Sequence, residues 1–130
     1  MKIHGLLAAA AFSAAAFAGS ASAAEGPFTQ DQLTKGTSEY NTHCRTCHAA
    51  KGKGALGPAL MGDTFKGRFG GQSVTDVSTW IHANMPQTAP GSLTDDQLYP
   101  IVSYILSLNG YTPGQTPLTA DSGKSVTIEK

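Results

Sequence analysis

Cysteine is nearly absent from this chain: two residues in 130, Cys44 and Cys47, with two positions between them. Structural zinc needs three or four protein ligands, and with no second cysteine pair only scattered histidines remain to supply them. A disulfide between the two would close a tiny ring and constrain little of the unfolded chain, so a structural disulfide is the weaker reading. Strand-forming runs are scarce, which leaves no sheet for a thioredoxin-like dithiol to sit beside. No internal repeat is present. An excess of charge of one sign is also missing. Nine basic side chains balance nine acidic ones, and no bulk attraction to nucleic acid or to a membrane surface follows from that.

The longest apolar run, Leu6 to Phe17, falls short of the roughly 20 residues that a bilayer-spanning helix needs. It follows the basic start Met1-Lys2 and precedes the small-x-small site Ala21-Ser22-Ala23. That order reads as a cleaved Sec signal peptide over 1–23, which places the mature chain in the periplasm with no transmembrane segment. Cleavage takes the 130-residue chain to 107 residues, with eight basic against nine acidic side chains. A single small domain over 24–110 is expected, with 111–130 as a C-terminal extension packing on it. A chain this short buries a modest core, and a large apolar cofactor would add much of what it lacks.

Helical signals dominate the rest. After a frayed start over Ala24 to Phe28, a helix is expected from Thr29 or Asp31 to Tyr40 or Asn41, with Gly36 marking a close crossing with another helix. Seven glycines between Lys51 and Gly71 predict loop throughout that stretch. Ser73-Val74-Thr75-Asp76 opens a helix carrying Val74, Val77 and Ile81 on one face, stopped by Pro86. Thr94-Asp95-Asp96-Gln97 is a fuller capping box, and Leu98, Ile101, Val102, Ile105 and Leu108 form the apolar stripe that follows it. Asn109-Gly110 suits a left-handed C-terminal cap. Pro100, in the second turn, predicts a kink or a late start. The tail has turn-rich composition, and Val126 with Ile128 suffices for a short strand at most. The class is all-α, three to five helices.

The two cysteines belong to Cys44-Arg45-Thr46-Cys47-His48, and C-x-x-C-H is the attachment signature of c-type haem. Each thiol can add to one vinyl group of the same porphyrin, and His48 then falls under the iron as its proximal ligand. An electron carrier needs a sixth ligand, and methionine thioether suits iron in both oxidation states. Met85, between a helix end and Pro86, is the favoured candidate. Met61, in the glycine run, reads as a hydrophobic cover. His82, one turn before Met85, is the rival ligand, while His43 abuts Cys44 and is badly placed for the far face. A ligating histidine usually gives its other ring N–H to a carbonyl, and the Gly57-Pro58 turn can offer one. Tyr40, Phe65, Phe69, Trp80 and Tyr104 are the aromatic residues available to line a haem.

These residues, with Gly52, Gly54, Gly57-Pro58-Ala59-Leu60, Met85-Pro86, Leu93-Thr94 and Ser103-Tyr104-Ile105-Leu106, resemble the class I monohaem c-type cytochromes of the bacterial periplasm, in that family's order. The resemblance implies a small cytochrome c fold wrapped around one covalent haem c. It implies His48 and Met85 as axial ligands, with the Pro58 carbonyl orienting His48. It also implies that Gly36 and Tyr40 lie where the first helix crosses the last, near Tyr104. The family often has glycine where this chain has Ala49, and Pro100 is unusual in the last helix. The tail from Tyr111 resembles extensions of cytochromes linked to periplasmic dehydrogenases.

The expectation is a one-electron carrier, free or as the cytochrome subunit of a dehydrogenase or oxidase, and not an enzyme in itself. The alternative is a five-coordinate gas-binding or peroxidatic haem protein. Between Arg45 and Arg68, the cations Arg45, Lys51, Lys53, Lys66 and Arg68 face Asp63 alone, a local excess of four positive charges. Such a segment can steer an acidic redox protein to the haem edge.

Overall fold

The computed structural model describes residues 26–130, so the leader read over 1–23 lies outside the described residues. Five α-helices are present among them: α1 Gln30–His43, α2 Arg45–His48, α3 Gly62–Phe69, α4 Val74–Asn84 and α5 Asp95–Leu108. β-structure among these residues is limited to two isolated bridges, Thr29 with Gly114 and Ser73 with Thr127. The fold is all-α, as the sequence implied.

α1 starts on a capping box. Thr29 Oγ1 accepts from the Gln32 backbone N–H at 3.2 Å, and Gln32 Oε1 accepts from the Thr29 N–H at 3.2 Å. The helix then runs past Asn41 to His43, where the Cys44 N–H still finds the Tyr40 carbonyl at 2.9 Å. Phe28 is not frayed: it is fully buried, and its carbonyl accepts from Gly114 at 2.7 Å. α1 and α5 cross at Gly36, where an added Cβ would stand 1.8 Å from the Pro100 carbonyl oxygen. One turn on, the rings of Tyr40 and Tyr104 meet at 4.8 Å between centroids.

Two expectations are corrected. The glycine-rich stretch is not loop throughout, because α3 forms within it and buries Phe65 and Phe69 on one side. The (i, i+4) burial of two aromatic rings outweighs the roughly 1 kcal/mol that Gly67 costs the helix. Nor does Pro100 delay the last helix. α5 begins at Asp95, with the Thr94 N–H on Gln97 Oε1 at 3.1 Å, and continues through Pro100, whose ring is buried.

The segment after Gly110 folds back onto the helices. Leu118 and Ile128 are core residues. Gln32 clasps the tail from α1, its amide donating to the Leu118 carbonyl at 2.9 Å and accepting from the Leu118 N–H at 2.7 Å. Farther on, the Ile128 N–H donates to the Gln72 carbonyl at 2.9 Å and the Val74 N–H to the Val126 carbonyl at 2.8 Å.

Candidate functional site

Cys44 caps the end of α1 and Cys47 lies in the single turn of α2. Both are free thiols, Cys44 half-buried and Cys47 exposed. Burial pushes the Cys44 thiol up to about 11, and the neighbouring Cys47 adds to the shift.

His48 is buried at the end of α2. Its Nδ1 lies 2.7 Å from the Pro58 carbonyl oxygen. A carbonyl only accepts, so Nδ1 carries the proton and Nε2 keeps its lone pair for a metal. The loop that delivers Pro58 is pinned by the Gly57 N–H on the Cys47 carbonyl and the Gly54 N–H on the His48 carbonyl, each at 2.8 Å. Gly57 has to be small here, since an added Cβ would stand 2.8 Å from the imidazole Cε1.

Met85 follows the last turn of α4, its N–H on the Ile81 carbonyl at 2.8 Å. A cavity of about 420 Å³ brings it together with Cys44, Cys47 and His48. α3 and α4 contribute Phe65, Phe69, Trp80 and Ile81 to its wall, and α5 adds Ile101 and Ile105. An apolar chamber of this size, with two adjacent thiols and an imidazole in its ligating tautomer, fits a c-type haem. A bare-ion site does not compete, because no group of three or more His, Cys, Asp or Glu converges among the described residues.

The other candidates raised by the sequence fall elsewhere. Met61 is exposed at the start of α3 and is absent from the cavity wall, as is His82. His43 is at the wall, engaged with Glu39 at 3.2 Å and Gln97 at 3.3 Å. Phe65, Phe69 and Trp80 line the cavity, whereas Tyr40 and Tyr104 belong to the helix crossing. Leu93, Ile101 and Ile105 read in sequence as core or motif positions, and nothing in their local spacing marks them as cavity lining.

The family model for cytochrome c oxidase, cbb3-type, subunit III matches residues 31–105, more than half of the chain. The chain belongs to this family. It is a c-type cytochrome, an electron-transfer haem protein and not itself an enzyme. The cytochrome is similar to the Cbb3-type cytochrome c oxidase subunit CcoP of Azospirillum sp. (strain B510), 34% identical over 108 residues that cover 71% of this chain and 33% of that protein. It is also similar to the fructose dehydrogenase cytochrome subunit of Gluconobacter japonicus, 32% identical over 113 residues that cover 75% of this chain and 23% of that protein. The cytochrome therefore spans a third or less of the length of these relatives. No solved structure matches it.

Around the cavity mouth, Leu56 is 86% exposed while still lining the opening. Arg45, Lys51 and Lys53 are exposed in the segments beside it. Lys66 reaches Glu129 at 3.6 Å, so one of the five cations read in sequence is already paired within the chain.

Proposed function

We propose that this cytochrome is a periplasmic one-electron carrier with a single haem c, joined to Cys44 and Cys47 and ligated by His48 and Met85. It works free or as the cytochrome subunit of a larger oxidase or dehydrogenase. The observation that carries this reading is that Met85 and His48 line one cavity with both cysteines while the Pro58 carbonyl holds the His48 proton on Nδ1.

When bound there, haem supplies reversible one-electron exchange between ferrous and ferric iron. The chain's own residues do the rest. Cys44 and Cys47 would hold the group covalently, each thiol adding across one vinyl double bond and its proton going to the vinyl carbon. The Pro58 carbonyl orients His48 and raises its basicity as a ligand. Met85, at the cavity wall after α4, would supply a thioether ligand to the group. Phe65, Phe69, Ile101 and Ile105 keep water away, which holds the reorganisation on electron exchange small. Leu56 and the exposed cations Arg45, Lys51 and Lys53, which make no ion pair among the described residues, offer a docking surface to an acidic redox protein. Among the described residues no helix is long and apolar enough to cross a membrane.

The test is an optical spectrum of protein exported with its haem, oxidised and then reduced. Thioether ligation predicts the weak long-wavelength band of His/Met ferric haem and its loss in Met85→Ala. A five-coordinate spectrum in the unmutated protein would favour the gas-binding or peroxidatic alternative, and protein without covalent haem would overturn the reading altogether.

A further inference from the structure

His43 ends α1 beside Cys44 and lies at the cavity wall. Its side chain is 28% exposed, so water reaches it. Two neighbours of its Nε2 make opposite demands. The Gln97 side-chain amide nitrogen, 3.3 Å away, only donates, which suits a bare, neutral imidazole nitrogen. That amide cannot turn over to offer its oxygen, because the α5 capping box keeps Gln97 Oε1 on the Thr94 N–H at 3.1 Å. Glu39 Oε2, 3.2 Å away, only accepts, which suits a protonated, charged ring. Both states keep their partners, since Gln97 also donates to Glu39 at 3.4 Å and need not move when a proton arrives. The end of α1 favours the cation as well, through the helix dipole. Of the charged groups on neighbouring elements, α5 brings Asp95 and Asp96 in its first turn, and Asp96 is paired with Lys35 of α1. α2 follows with the exposed Arg45, and Arg68 of α3 is the permanent cation at the cavity wall. Cys44, Cys47 and His48 are the remaining titratable groups of that wall, and the haem reading commits all three to the cofactor.

We propose that His43 is a proton-binding site coupled to the haem electron: reduction draws a proton from solvent onto its Nε2, and oxidation returns it. This rests on the reading that haem occupies the cavity. Ferric haem carries one positive charge more than ferrous haem, and a cation at the cavity wall disfavours it. The protonated imidazole therefore raises the potential. By linkage, the reduced protein holds the proton more tightly by the same factor. In the balanced step a partner redox protein gives one electron to the iron, and in a fraction of molecules one proton from water adds to the Nε2 lone pair. Glu39 pairs with the charge so formed, and no bond to the cofactor is made or broken. The cytochrome then exchanges an electron together with part of a proton, and its potential follows the pH around it.

The test measures the potential of the haem-loaded protein from about pH 5 to 8, the range in which imidazoles titrate. Wild type is compared with His43→Gln, Glu39→Gln and Gln97→Glu. The wild-type potential should fall as pH rises, by what a roughly fivefold change in proton affinity gives, about 40 mV at about 59 mV per tenfold. His43→Gln should lose this fall. Glu39→Gln removes the acceptor and should move the fall to lower pH. Gln97→Glu keeps a capping-box residue, replaces the amide donor and should move it to higher pH. In wild type, which needs no variant to fold, the His43 ring protons followed by NMR should titrate at higher pH in the reduced than in the oxidised protein. A fall of equal size in His43→Gln, or His43 titration at the same pH in both oxidation states, would overturn the proposal. Wild type that carries no covalent haem overturns the parent reading and this one with it; haem-loaded wild type whose potential ignores pH overturns only this one.

Discussion

The buried Tyr40 hydroxyl donates a 2.7 Å hydrogen bond to the carbonyl oxygen of Ala49, the residue that follows His48. Ala49 has φ 60 and ψ 173, a region essentially reserved for glycine. The chain must turn sharply there to bring the Gly57-Pro58 loop back onto the imidazole, and the Tyr40 bond holds the turn in place.

Strain of this kind costs about 1–3 kcal/mol. Glycine would relieve it, at the expense of about 1 kcal/mol of extra freedom in the unfolded chain. Ala49→Gly should therefore stabilise the holoprotein by about 1 kcal/mol, read as a higher denaturant midpoint at unchanged slope. A lower midpoint would show that the turn is not strained.

Tyr40 also predicts an alkaline limit. Burial pushes its phenol up to about 12. The folded state prefers the neutral phenol, so the resulting stabilisation is complete below the ordinary tyrosine value near 10. It is lost as pH rises from there through about 12, a change on the order of 2 kcal/mol. Tyr40→Phe should lack this alkaline slope while losing about 1 kcal/mol at neutral pH with the hydrogen bond. Urea titrations at a series of pH values distinguish the two effects.

Gly36 should tolerate nothing larger. Helix propensity alone would favour alanine by about 1 kcal/mol. The Pro100 carbonyl oxygen, 1.8 Å from the added Cβ, decides otherwise. Forcing α1 and α5 apart should cost about 3 kcal/mol or more, measured as a lowered melting temperature of Gly36→Ala. A melting temperature at or above wild type would mean the helices can separate freely.

Asn109 straddles the loop that leads into α3. Its amide donates to the carbonyls of Leu60 and Ile105, each at 2.9 Å, and its Oδ1 accepts from the Gly62 N–H at 3.0 Å. Asn109→Ala should destabilise by about 2 kcal/mol, since it removes partners from two part-buried carbonyls and from the exposed Gly62 N–H. Hydrogen exchange at the Gly62 amide should rise with it, and unchanged protection there would contradict the assignment.

Met61 lies within the same loop but outside the cavity wall. Met61→Leu should leave the oxidised and reduced spectra of the holoprotein unchanged. A lost or shifted thioether band in that variant would transfer the ligand assignment from Met85 to Met61.

What was legible in sequence lies within a few residues of itself. Cys44 to His48, the Thr94–Gln97 box, the stripe from Leu98 to Leu108 and the Asn109-Gly110 cap are local patterns, and local backbone chemistry is enough to realise them. Gly36 was readable for the same reason, since a glycine in a helix implies a close neighbour even before the neighbour is known. α3 was not, because glycine content argues against a helix until Phe65 and Phe69 find a core to bury in. Pro100 suggested a kink or a late start, and of these the late start is absent: α5 begins at Asp95 and runs on through the proline, whose ring is buried.

Sequence alone was enough for the all-α class, the C-x-x-C-H motif and the helices α1, α4 and α5, since these depend on residue type and short spacing. Tertiary contacts were needed to show that Met85 shares a cavity with His48, that the Pro58 carbonyl faces the His48 Nδ1, and that Arg68 lies over Trp80. Those relationships join residues ten or more positions apart, and their geometry exists only once apolar burial has paid the entropy of bringing distant segments together.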